Sequence, residues 1–146
     1  MSNPTVPVTQ SASREAKGVL LVEDDEALAR TMQRVLGSAG FQVETAFTGD
    51  AALAKLSAAS FEVIVTDIEL PGTSGVDLLR IVRAYDLDVP VILMTGSPRV
   101  ETATEAVQLG ALQYLVKPVT NEAIIEAVNR AVRLHKMAQI KREALS

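Results

Sequence analysis

Val19-Leu20-Leu21-Val22-Glu23-Asp24-Asp25 decides the fold: four aliphatic residues run without a break into three acids. A short, continuously apolar run suits a strand covered on both faces, and acids directly behind it lie at the strand's C-terminal end. Three more runs repeat the arrangement. Val63–Val65 stops at Thr66 and Asp67, Val91–Met94 at Thr95, and Leu115–Val116 at Lys117 and Pro118. In an α/β fold with a parallel sheet, these ends share one edge, where the loops build the ligand site. That edge collects aspartates, a hydroxyl and an ammonium from distant parts of the chain. Such a set can hold a divalent cation, present a carboxylate nucleophile and stabilise a phosphoryl group.

Working outward, the pattern alternates strand and helix five times. Strands are predicted at 18–23, 41–45, 62–66, 90–95 and 113–116. Leu28, Met32, Val35, Leu36 and Ala39 share one face of a first helix. Leu53 and Leu56 mark the second helix, and Leu78, Val82 and Tyr85 the third. Val100, Ala103 and Val107 mark the fourth, and Ile124, Val128 and Ala131 the fifth. Gly40 and Gly110 stand where helices end, and Thr48 and Thr120 where they begin. The alternation implies a doubly wound parallel sheet. Residues 1–17, rich in Ser, Thr and Pro, read as a disordered tail, and 18–133 as the domain. Residues 134–146 keep good helix formers and read as a helical linker toward an output domain, as in a fragment of a longer protein.

The 146 residues suit a single domain with a real core, which must be built from Val, Ile, Leu and Ala because only 3% are aromatic. Cysteine is absent, which excludes disulfides and thiolate chemistry. No signal-like or membrane-spanning run occurs, so the expectation is a cytoplasmic protein without membrane contact. From Gly18 to Val132 the chain has 8 Lys and Arg against 16 Asp and Glu, a net −8. That acidic body argues against direct nucleic-acid binding, which needs a basic face. His135, the only histidine, is expected to be solvated on the linker helix.

Within the edge, Asp24 and Asp25 read as an acidic pair. Carboxylates about 5 Å apart repel by roughly 3 kcal/mol at an effective dielectric near 20, so their gathering with Asp67 calls for a cation. Hard oxygen ligands favour Mg²⁺. An acidic pair opening a helix also has a plainer role, as favourable charge at the helix N-terminus. Asp67 precedes Leu70-Pro71-Gly72, which holds it on a turn, and its carboxylate can attack phosphorus or accept turn N–H bonds. Thr95 can donate to a phosphoryl oxygen, and the ammonium of Lys117 needs an anion. Lys117–Pro118 is a candidate cis peptide. Tyr114 is expected to pack its ring and wet its hydroxyl.

These residues, with Leu93-Met94-Thr95-Gly96, Gly110–Pro118 and Asp67–Gly75, give the chain its family likeness. It resembles the CheY-like receiver domain of bacterial two-component response regulators over roughly 18–133. The resemblance implies a flavodoxin-like five-stranded sheet in order 2-1-3-4-5. It implies that Asp67 accepts a phosphoryl group from a sensor histidine kinase or phosphotransfer protein. It further implies Mg²⁺ on Asp25, Asp67 and the backbone carbonyl of Glu69, with Asp24 acting through water. Thr95 and Lys117 would bind phosphoryl oxygens, and Tyr114 would be the aromatic switch. A homodimer contact through the fourth helix, fifth strand and fifth helix, and an output domain or downstream effector, belong to the same expectation. Three positions stand out against the commonest pattern: Gly96, where alanine is usual, Ser97, two residues past Thr95, and Glu69, whose charge is expected to tune autodephosphorylation.

Three other readings compete. A haloacid-dehalogenase-like phosphatase has the nucleophile first and the acidic pair last, the reverse of the order here. A pseudo-receiver would be an interaction module that never takes a phosphoryl group, although all the expected chemical residues are present. A nucleotide-binding domain lacks support, since neither a G-x-G-x-x-G nor a Walker lysine motif occurs.

Overall fold

The computed structural model describes residues 17–85 and 88–146. In chain order the elements are β1 (Lys17–Val22), α1 (Glu26–Ser38), β2 (Val43–Ala46), α2 (Gly49–Ala58) and β3 (Phe61–Asp67). Then come α3 (Gly75–Tyr85), β4 (Val91–Thr95), α4 (Val100–Gln108), β5 (Gln113–Val116) and α5 (Asn121–Leu145). The strands are all parallel, in the order β2-β1-β3-β4-β5 that the resemblance implies. Lys17 begins β1, and the tail expected before it lies outside the described residues.

Side chains alternate across each strand, so every central strand feeds two cores. Leu20, Val22, Ile64 and Leu93 face the layer of α2, α3 and α4, where Leu78, Leu79 and Val82 are buried. Val19, Leu21, Val63, Val65, Ile92 and Met94 face α1 and α5, against Leu36, Ile124 and Val128. Each such aliphatic side chain contributes about 1.5–3 kcal/mol of burial. Asp25, Thr48 and Thr120 cap α1, α2 and α5. Gly40 and Gly110 have φ of 99° and 72°, the left-handed conformation that ends a helix at low cost for glycine.

Four side chains lie where the sequence did not put them. In α4, Val100 and Val107 are 79% and 78% exposed, while Ala106 is buried. The inward stripe is Thr102, Ala106 and Leu109, and a count of apolar residues passes over the threonine. Tyr85, the last residue of α3, projects into solvent past Val82. His135 is buried, not solvated, because it extends the inward Ile124–Val128–Ala131 stripe of α5 by one more turn. Among the described residues no helix is long and apolar enough to cross a membrane.

Candidate functional site

Register brings the site together. Val22 pairs with Thr66, so Glu23 and Asp67 lie abreast just beyond β1 and at the end of β3. Thr95 pairs with Val116, which puts Lys117 one step past the β4 end, its N–H donating to the Thr95 carbonyl at 2.8 Å. From there the Lys117 ammonium reaches back across the edge. Nζ donates to Glu23 Oε1 at 2.6 Å and to Asp67 Oδ2 at 3.0 Å. Glu23 and Asp67 are 1% and 4% exposed, so both carboxylates are shielded from water while the lysine is partly exposed. The Lys117–Pro118 peptide behind it is cis, as the sequence suggested.

Carboxylate oxygens of Glu23, Asp24 and Asp67 lie within 4.8 Å of one another. Burial pushes the Glu23 carboxyl above its ordinary value, more than the Lys117 hydrogen bond lowers it. Burial works against the charged Lys117, but its bonds to Glu23 and Asp67 prevail and hold its ammonium above the usual range. The three oxygen donors suit a small hard cation, and Glu23, Asp24 and Asp67 fit Mg²⁺ on chemistry and spacing.

Asp25 lies elsewhere. It is the N-cap of α1, with Oδ1 accepting the Leu28 N–H at 3.1 Å, and its own N–H donates to Glu23 Oε2 at 3.2 Å. The carboxylates that gather around Asp67 are those of Glu23 and Asp24. A signal for this stood in the sequence. The acid directly after the apolar run belongs to the sheet edge, and the acid directly before the first helical residue suits a cap.

The loop after β3 fixes Asp67. The Ile68 N–H donates to the Met94 carbonyl at 2.8 Å, and Gly75 N–H to the Ile68 carbonyl at 2.9 Å. Gly75 packs so closely here that a Cβ would fall 2.2 Å from the Asp67 carbonyl oxygen, so no larger residue fits without moving the aspartate. Glu69 N–H approaches Asp67 Oδ1 at 3.4 Å. The Glu69 side chain turns to Thr95, whose hydroxyl donates to Oε2 at 2.7 Å. Tyr114 packs its ring against the core, and its hydroxyl is 2.9 Å from Thr102 Oγ1 in the first turn of α4. A Cβ on Gly96 would meet nothing within 4 Å, so the glycine there is not imposed by space.

The parallel sheet in order β2-β1-β3-β4-β5, with buried carboxylates and a lysine converging on its C-terminal edge, places the chain in the class of CheY-like α/β folds. The model of the response regulator receiver domain matches residues 19–129, and the chain belongs to that family. It is 35% identical over 127 residues to the C4-dicarboxylate transport transcriptional regulatory protein DctD of Rhizobium meliloti, covering 87% of this chain and 28% of that protein. To the cell cycle transcriptional regulator CtrA of Caulobacter vibrioides it is 33% identical over 118 residues, covering 81% of this chain and 51% of that protein. The chain therefore spans about half or less of the length of these relatives. Among solved structures, a CheY-like receiver domain protein from Methanospirillum hungatei superposes with a TM-score of 0.81 at 27% identity, covering 85% of this chain and 99% of that one. A chain described as adenylate cyclase from Rhodopirellula baltica gives a TM-score of 0.82 at 32% identity, covering 90% and 98%.

Proposed function

We propose that this domain is a phosphorylation-competent receiver in which Asp67 is the phosphoacceptor and Glu23, Asp24 and Asp67 hold Mg²⁺. The observation that carries the reading is the Lys117 ammonium placed between buried Glu23 and Asp67. An Asp67 carboxylate oxygen attacks phosphorus as the P–N bond to the kinase's phosphohistidine breaks. The imidazole nitrogen leaves with the electron pair and takes a proton from water. Lys117 Nζ, held beside Asp67, offsets the negative charge of the transferred group, so the chain's contribution is positioning and electrostatics. When bound, Mg²⁺ supplies a second positive charge on the phosphoryl oxygens.

The aspartyl phosphate adds charge and strong acceptors where Asp67 had a single carboxylate. Thr95 carries the hydroxyl that answers it, and Tyr114, bonded to Thr102, carries the change to the first turn of α4. The donor is a sensor histidine kinase or phosphotransfer protein, and the reader is an output domain or effector, as the regulatory names of the relatives suggest. The test is intact mass after acetyl phosphate, with and without Mg²⁺. A single Mg²⁺-dependent adduct absent from Asp67→Asn is expected. No adduct under either condition would favour an interaction module that works without phosphorylation.

A further inference from the structure

Glu69 lies two residues past the acceptor and takes no part in the phosphoryl transfer above, yet it holds two polar groups at the edge. The Thr95 hydroxyl donates to Oε2 at 2.7 Å, and the Gly96 N–H approaches Oε1 at 3.3 Å. Thr95 Oγ1 in turn accepts the Ser97 N–H at 2.9 Å. We propose that Glu69 is a built-in competitor for the phosphoryl group: its carboxylate occupies the donors of Thr95 and Gly96 until Asp67 is phosphorylated, and so sets how readily the domain switches. This rests on the reading of Asp67 as phosphoacceptor.

The argument is one of proton counting. A threonine hydroxyl has a single O–H, so Thr95 cannot donate to Glu69 and to a phosphoryl oxygen at the same time. The bond it now makes is to an ionised acceptor, roughly twice as strong as a neutral one. Thr95 is wholly buried, so its hydroxyl has no bulk water to fall back on. A group with about 1.5 to 2 negative charges on Asp67 repels the Glu69 carboxylate on the same loop. Phosphorylation therefore loosens the old bond and offers the new one together, which makes the loop two-state. A cleft of about 420 Å³ opens beside Glu69, lined by Ser74, Ser97 and Arg99 and also by the acids Asp77 and Glu105.

Beryllofluoride, a non-hydrolysable stand-in for the aspartyl phosphoryl group, tests this with saturating Mg²⁺ and amide NMR. Half-saturation of Glu69→Ala is expected at about tenfold lower beryllofluoride than wild type, the effect of one charge-assisted hydrogen bond. Glu69→Gln, which keeps an acceptor but no charge, is expected between them. The Gly96 amide of unliganded Glu69→Ala is expected to move toward the position that beryllofluoride gives it in wild type. Coincident Gln and Ala variants would mean simple charge repulsion, and an Ala variant within about twofold of wild type would mean no competition at all. Either overturns the proposal. Wild-type protein that binds Mg²⁺ but takes no beryllofluoride overturns the phosphoacceptor reading itself, and the competition with it.

Discussion

Lys117 and Glu23, 94 residues apart in sequence, meet at 2.6 Å at the edge of the sheet, and the Glu23 side chain is closed off from solvent. A buried carboxylate left without its counter-charge is costly, and here one ammonium serves two of them. Replacing Lys117 by methionine is expected to destabilise the metal-free domain by about 2 kcal/mol at neutral pH, below the full cost of breaking a buried pair because the lysine is partly exposed. Mg²⁺ supplies the missing positive charge, so saturating Mg²⁺ should stabilise the variant more than wild type. Urea unfolding with EDTA and with Mg²⁺ measures both, and equal Mg²⁺ responses would sink the idea that Lys117 is the resident counter-ion.

Glu23 also predicts a pH dependence. Burial raises its folded-state value above 4.5, so the folded domain holds that proton more tightly than the unfolded chain. Its contribution to stability is fully present below 4.5 and is lost as pH rises through the raised folded value. Glu23→Gln cannot ionise. In EDTA, the stability of wild type relative to this variant should therefore improve as pH falls from neutral toward 4.5. Lys117, raised above 10.5, stays charged throughout that window and does not distort the comparison. A difference that stays flat with pH would show that Glu23 is not strained by its burial.

Asp24 and Asp25 are adjacent acids with separate duties. Asp25→Ala removes the cap on α1 and should cost about 1 kcal/mol of stability. It should leave Mg²⁺ affinity nearly unchanged, because its carboxylate is engaged with Leu28 N–H. Asp24→Asn and Glu23→Gln should instead weaken Mg²⁺ by at least about tenfold, since even outer-shell losses have that size. Titration calorimetry on the three variants separates these outcomes. A large loss of affinity in Asp25→Ala would restore Asp25 to the metal site.

The sheet was legible because its central strands are apolar on both sides. Runs such as Val63–Val65 and Val91–Met94 have no polar face to confuse, and β5 falls at the predicted residues 113–116. Asp67, Thr95 and Lys117 were equally legible, since strand ends on a parallel sheet share one edge. What the sequence hid was direction. One-residue steps decide whether an acid faces the edge, as Glu23 does, or caps a helix, as Asp25 does. In α4, apolar Val100 and Val107 drew the reading to the exposed face, and Tyr114–Thr102 marks the inward one through a hydroxyl that hydropathy does not count. The hold of Glu69 on Thr95 lay beyond reach, because it depends on one rotamer in a loop.

The polar attachment of α4 leads to the last prediction. This helix buries Ala106 and little else, so its place depends on arginines of α3. Arg80 bridges Asp77 at 2.6 Å and Glu105 at 2.7 Å, but these groups are half-exposed and contribute little. Arg83 does more: its guanidinium donates to the carbonyls of Leu109 and Gly110 at the end of α4, both at 3.0 Å, and to Val89 at 2.7 Å. Arg83→Ala leaves those carbonyls to water and should cost about 1–3 kcal/mol. Arg83→Lys should recover less than half of that, because one ammonium cannot span three separated oxygens. Hydrogen exchange locates the loss: protection at Leu109, Gly110 and Ala111 should fall well before that of Ile64 and Val65 in β3. Uniform loss across both regions would mean that Arg83 supports the whole fold and that α4 is not separately poised to move.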